Sequence, residues 1–193
     1  LSAWVMEAAL EQTHAWSAAG LPEFKVAINL SARDFSPGLA ARLQALLVEH
    51  AVAPSQVELE ITEGMLTHSS DDVIAMMDSI TALGVSLSLD DFGTGYSSLA
   101  YLKRFPIDTL KIDRSFVTGI PQDGNDCAIA GAIISMAQRL GHRVIAEGVE
   151  TREQLEFLKS LGCQEIQGHY FSPAVPAAKF EALLKSGRML HAH

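Results

Sequence analysis

Cysteine is scarce in this chain: only Cys127 and Cys163 occur in 193 residues, and neither has metal-ligand spacing. A disulfide framework and a cysteine-based zinc site are excluded, and two free thiols suit a reducing compartment. Basic residues are also few, 14 Lys and Arg against 23 Asp and Glu, for a net charge of −9. No Lys/Arg cluster is present, which argues against duplex nucleic acid as a partner. An anionic substrate would need bound cations to reverse the local field. No apolar run reaches membrane-spanning length, and nothing at the start is organised as a signal peptide. With 48% apolar and 19% charged residues the chain is globular, with room for one full core. The first residue is Leu1 and not Met, which points to a fragment of a longer protein, and the free thiols point to a cytoplasmic setting.

What the chain does have is regular alternation. Apolar periodicity predicts helices over 1–18, 39–50, 71–83, 125–140, 153–161 and 177–185, with Thr151 as the N-cap of the fifth. Between them, period-two patterns predict strands over 25–31, 57–62, from Ser86 to Asp90, and over 109–113, 143–147 and 164–169. A short helix is expected from Ser97 or Ser98 to Lys103. Strand and helix alternate at roughly 30-residue spacing, the pattern of a parallel α/β protein. A (β/α)₈ barrel has two more strands than the six visible here. If this is such a barrel, its first units lie upstream of residue 1, and the segment alone is expected to be poorly soluble, domain-swapped or inactive.

On one face each strand carries a polar residue at or near its C-terminal end: Asn29, Glu60, Asp90, Lys111, Glu147 and Gln167. In a barrel these share the inner face and reach the mouth, where active sites lie. Asn29, Glu60, Asp90 and Asp91 offer oxygen ligands suited to a hard cation such as Mg²⁺, Mn²⁺ or Ca²⁺. The adjacent Asp pair can bridge two ions, the arrangement used for in-line phosphoryl displacement. Lys111 can stabilise phosphate charge or orient water, and Glu147 is the carboxylate best placed as general base. Glu63 and Glu150, just beyond strand ends, suit loop support or capping. Asp113 suits pairing with a cation or capping the segment after its strand. Glu58 lies lower on the inner face with no partner evident. Asp91-Phe92-Gly93 spells a kinase metal-binding triplet, but no His-Arg-Asp loop precedes it. Gly93 and Gly95 lack the third glycine of a dinucleotide fingerprint.

The Asn29-Leu30-Ser31 strand end, Glu58 to Glu63, Asp90-Asp91-Phe92-Gly93-Thr94-Gly95-Tyr96-Ser97-Ser98, Lys111-Ile112-Asp113, Ala146 to Glu150 and Gln167-Gly168 together resemble the EAL domain. These are bacterial phosphodiesterases acting on cyclic di-GMP. The resemblance implies a modified (β/α)₈ barrel over residues 1–187, followed by a tail over 188–193. It implies hydrolysis to linear pGpG with two Mg²⁺ or Mn²⁺ ions, Ca²⁺ binding without turnover. By the same resemblance Asn29, Glu60, Asp90, Asp91 and Glu147 hold metal, Glu147 also activates water, and Lys111 contacts that water or the phosphate. Glu63 anchors the loop after Asp90, while Asp113, Glu150 and Gln167 support the site. Gly93, Thr94, Gly95, Tyr96 and Gln167 contact substrate. A homodimer and an upstream sensory or GGDEF domain are further expectations. Two departures stand out: the Glu-Ala-Leu motif, whose Glu is a metal ligand, would lie upstream of residue 1, and the proline of Ser172-Pro173-Ala174 sits one position early. A non-catalytic cyclic di-GMP receptor and a metal-dependent enolising barrel are the alternatives.

Overall fold

Runs that alternate apolar and polar residues form six strands: β1 (Val26–Asn29), β2 (Val57–Thr62), β3 (Ser86–Phe92), β4 (Thr109–Ile112), β5 (Arg143–Glu147) and β6 (Glu165–Gln167). The computed structural model describes residues 2–66, 71–95 and 102–186. Tyr96, most of the short helix expected before Lys103, and the 188–193 tail lie outside them. All five strand pairs are parallel, and the sheet order follows the chain from β1 to β6. Parallel neighbours need crossover connections, and helices supply most of them. The helices are α1 (Ser2–Ala18), α2 (Leu39–Glu49), α3 (Asp71–Thr81), α4 (Gly124–Leu140), α5 (Arg152–Ser160) and α6 (Ala177–Lys185).

One face of the sheet is apolar. Ile28, Leu59, Ile61, Leu87, Leu89, Leu110, Ile112, Val144 and Ala146 are all buried. They share one core with Met6, Leu10, Leu43, Met77, Ile80, Ile134 and Leu158 from the helices. Removing this apolar surface from water, at ~25 cal/mol per Å², is the main force holding the layers together. Local signals set the helix ends. Asp123 caps α4, accepting from the N–H groups of Asn125 and Asp126 at 2.7 and 3.2 Å. Thr151 and Gln154 form a reciprocal capping box on α5. Gly141 closes α4 at φ +82°, a conformation that costs glycine nothing.

Three strands are shorter than their sequence patterns: β1, β6 and, by the single residue Asp113, β4. After β1, Ser31 donates to the Asp34 carboxylate and the chain turns. After β6, Gly168 leaves the strand to pass the Val149 backbone.

Among the described residues β1 and β6 are not paired with each other, yet the sheet is not flat. Six strands about 4.8 Å apart would span roughly 24 Å. Trp16 at the end of α1 and Phe24, just before β1, nevertheless pack against Phe180 of α6, tilted and edge-on, with ring centroids 5.1 and 5.6 Å away. The two edges are therefore drawn together, and the molecule is a curled α/β half-barrel of the TIM-barrel kind.

The inner face is polar from bottom to top. Near the N-terminal ends of the strands, buried Glu58 accepts from Arg143 Nη2 at 3.1 Å. The same nitrogen donates to Thr109 Oγ1 at 2.7 Å, and Nη1 donates to Glu165 at 3.1 Å. Glu58 thus finds the partner that the sequence left open, 85 residues away on β5. A buried carboxylate needs such pairing.

Candidate active site

Parallel register brings the strand tips level. Asn29 is opposite Glu60, Thr62 opposite Asp90, and Glu147 opposite Gln167. Because side chains alternate, these polar residues share the inner face with Lys111. Lys111 is 3% exposed and sits among three carboxylates. Its Nζ is 2.7 Å from Glu60 Oε1, 2.5 Å from Glu147 Oε1 and 3.3 Å from Asp90 Oδ1. Burial disfavours its charge, but the hydrogen bonds and charges of Glu147 and Glu60 outweigh that and hold the ammonium above the usual lysine range.

Strict alternation would send Asp91 to the opposite face from Asp90. The backbone prevents this. The β3–β4 register shifts between Leu89 and Phe92, and Asp91 takes φ +54°, a left-handed conformation uncommon for a residue with a Cβ. Carboxylate oxygens of Asp90, Asp91 and Glu147 then come within 4.8 Å of one another. A strained backbone of this kind clusters at functional sites. The donors are hard oxygens with no sulfur or imidazole in the group, which fits a divalent cation of the Mg²⁺ class. Glu60, held by Lys111, lies on β2 beside β3, and Asn29, exposed, lies one strand further out on β1.

The residues around this group are also placed. Glu63 is buried, and its Oε2 accepts from the N–H groups of Gly93 at 3.0 Å and Gly95 at 3.1 Å. Thr94 Oγ1 donates to Asp91 O at 2.8 Å, closing the same turn. Gly93 has φ +99°, and a Cβ there would come 2.9 Å from Phe116. Asp113 caps the turn after β4, accepting from Ser115 N–H at 2.9 Å. Burial would raise its carboxyl, but the hydrogen bonds from Ser115 hold it below the usual carboxylate range. Glu150 pairs with Arg114 at 3.0 Å. Gln167 is exposed at the tip of β6. A cavity of about 500 Å³ opens beside Glu147, lined among others by Arg114, Glu150, Gln167, Phe171 and Phe180.

The EAL domain family model matches residues 1–174. This chain belongs to the EAL domain family. It is 43% identical over 189 residues to the cyclic di-GMP phosphodiesterase NbdA of Pseudomonas aeruginosa, covering 97% of this chain and 24% of NbdA. The PaMucR phosphodiesterase in complex with c-di-GMP is 40% identical, with a TM-score of 0.87 over 92% of this chain and 72% of that one. A manganese/cyclic di-GMP complex of Klebsiella pneumoniae BlrP1 is 32% identical, with a TM-score of 0.78 over 87% of this chain and 43% of that one. The chain spans about a quarter of the length of the relatives NbdA and MucR.

Several residues of this EAL domain that matter to the site carry little sequence signal. Gln154 is buried and ties α5 to the loop after β4: its side-chain oxygen accepts from the N–H of Glu150 at 2.7 Å, and its amide donates to Val117 O at 3.1 Å. The Thr151-x-x-Gln154 spacing could have revealed its cap role, but not the reach to Val117. Gly168 is required by contact: a Cβ there would lie 2.1 Å from Val149 O and 2.4 Å from Val149 N. Val149 N–H donates to Gln167 O at 3.1 Å, and Tyr170 N–H to Val149 O at 3.0 Å. Gly168→Ala should therefore destabilise the EAL domain by about 1–3 kcal/mol, the cost of overpacking, and displace Gln167. Thermal unfolding checks this, and an unchanged midpoint would refute the contact.

The carboxylates also make stability depend on pH. Burial raises the Glu147 carboxyl, with Asp90 and Glu60 adding to it against the pull of Lys111. Burial, then the charges of Asp90 and Asp113, raise Asp91. Between their unfolded and folded pKa values the native EAL domain binds more protons, so its stability falls as pH rises through that window. In EDTA the melting temperature should rise as pH falls from neutral toward the ordinary carboxylate range. Asp113 acts in the opposite sense only below the ordinary carboxylate range, outside this window. Mg²⁺ should remove most of the difference, and a flat profile in EDTA would contradict the assignment.

Proposed function

We propose that the chain is the catalytic domain of a cyclic di-GMP phosphodiesterase that opens one phosphodiester bond to give linear pGpG. The observation that carries this reading is the convergence of Asp90, Asp91 and Glu147 around buried Lys111. It is supported by NbdA, named a cyclic di-GMP phosphodiesterase, and by the c-di-GMP complexes of PaMucR and BlrP1. BlrP1 complexes are titled with manganese and with calcium.

Asp90, Asp91 and Glu147, with Glu60 and Asn29 from the adjoining strands, would hold two divalent ions, Mg²⁺ or Mn²⁺. When bound, such ions neutralise phosphate charge and favour in-line displacement. The Glu147 carboxylate takes the proton of the attacking water. The Lys111 ammonium donates toward the phosphate oxygens, where negative charge develops. Glu63 holds the Gly93–Gly95 backbone so that the turn carrying Asp91 stays in place. A homodimer, and regulation by another domain of a longer protein, belong to the same reading. MucR, named a bifunctional cyclase and phosphodiesterase, gives the second a precedent.

The test is to incubate the chain with cyclic di-GMP and Mg²⁺ or Mn²⁺ and separate the products. Linear pGpG that requires the metal supports the reading. Tight binding without product would make the domain a receptor instead. No binding would remove the nucleotide from consideration.

A further inference from the structure

Across the inner face, one row of the parallel register runs through Glu60 on β2, Ser88 on β3, Thr109 on β4 and Arg143 on β5. Asp90 and Lys111 stand two residues further on, so Ser88 and Thr109 lie directly beneath them on the same face. The ends of the row are engaged. Glu60 Oε1 is 2.7 Å from Lys111 Nζ, and Arg143 Nη2 donates to Thr109 Oγ1 at 2.7 Å. The first of these contacts joins β2 to β4 and so passes in front of β3, on which Ser88 has the smallest side chain of the row.

The middle of the row is different. Ser88 is 0% exposed, and its Oγ has no hydrogen-bond partner among the described residues. Thr109 is equally buried. Its oxygen accepts from Arg143, and among the described residues no acceptor takes its O–H. Two buried hydroxyls therefore sit on adjacent strands with their protons unplaced and no bond between them, which native interiors seldom tolerate. A group placed between them must accept twice. It must also be a donor toward Glu60, since a carboxylate only accepts. A water molecule meets all three demands, with two lone pairs for the hydroxyls and a hydrogen for Glu60. Three bonds is the usual number for a buried water.

We propose that Ser88 and Thr109 hold one buried water that donates to the Glu60 carboxylate, and that Ser88 is through it a positioning residue of the metal site. The inference rests on the proposed role of Glu60 as a metal ligand and adds the support behind that ligand. Glu60 has to present oxygen to a cation while Lys111 engages Oε1. A hydrogen bond from beneath fixes the plane of the carboxylate, as outer-shell partners do for ligating groups. The small side chain at 88 then has a reason of size as well as of chemistry, because a larger one would occupy the place of the water.

The experiment uses the full chain and no nucleotide. A high-resolution crystal structure should show a water within hydrogen-bond distance of both Ser88 Oγ and Thr109 Oγ1. Calorimetric titration with Mn²⁺ is then compared across Ser88→Ala, Thr109→Val and the double variant. Each single change should weaken Mn²⁺ binding by about 2- to 13-fold, the worth of one hydrogen bond. The double variant should be no weaker than the weaker single, because one water serves both hydroxyls. Thr109→Ser, which keeps the hydroxyl, should recover most of the affinity lost in Thr109→Val. Absence of the water overturns the inference, and so do additive losses in the double variant. Lower melting temperatures with unchanged Mn²⁺ affinity would show that the hydroxyls merely fill the interior, and would overturn it as well. A wild type that binds no Mn²⁺ removes the metal site and this inference together. The expected Mn²⁺ results without formation of linear pGpG would defeat the phosphodiesterase reading and leave this inference standing.

Discussion

Glu147→Gln is expected to lower kcat for cyclic di-GMP hydrolysis by about 10²–10⁴-fold, the usual cost of losing a general base. The fold should survive. Glutamine keeps the shape of the side chain at the tip of β5, and Lys111 retains Glu60 at 2.7 Å and Asp90 at 3.3 Å. What disappears is the proton acceptor and one of three carboxylates clustered at the mouth. Steady-state kinetics with Mg²⁺, alongside a thermal melt of the variant, measures both. A loss confined to KM would assign Glu147 to ligand binding alone, and near-native kcat would end its assignment as the base.

Lys111→Met is expected to cost the metal-free chain about 3–5 kcal/mol, the penalty for removing one member of a buried charge cluster. Against a typical net stability of ~5–15 kcal/mol this is a large fraction. Methionine fills similar volume, so the cost comes from Glu60, Asp90 and Glu147 left facing one another without a cation. Because the ammonium is held above the usual lysine range, its contribution persists through neutral pH, begins to fade at the ordinary lysine value, and is lost as alkaline pH passes the raised one. Millimolar Mg²⁺ should restore part of the stability in the variant, since a divalent ion offsets the same charges. Urea unfolding in EDTA and in Mg²⁺ gives both numbers. A variant as stable as wild type in EDTA would show that the three carboxylates do not depend on the lysine.

What the sequence discloses about this molecule is mostly what is periodic or local. Alternation along Val57–Thr62 separates an apolar outer face from Glu58 and Glu60 within, and the same pattern marks the other strands. Thr151 is recognisable as a cap because its partner is three residues away. The approach of Asp91 to Asp90 is different. Period two separates them, and only a register shift with a left-handed residue reunites them, neither of which has a composition signal. The Glu58 partner arrives from β5, three strands away in the sheet, so spacing along the chain says nothing of it. Arg114 lies outside any strand, where no periodicity acts. Gly168 is visible as a glycine, but the reason for it is the backbone of Val149, which only the folded chain brings close.

The aromatic trio of Trp16, Phe24 and Phe180 bears on the order of events during synthesis. Two of its members are made early in this stretch and the third after β6, so the three rings cannot meet until all six strands have been made. Contacts between residues so distant along the chain form slowly, because the intervening polypeptide must be ordered first. Until then the contact of Phe180 with Trp16 and Phe24 cannot hold the β1 and β6 sides of the sheet near each other. With Phe180 on α6, the last of the described helices is the one that brings the two sides of the sheet together.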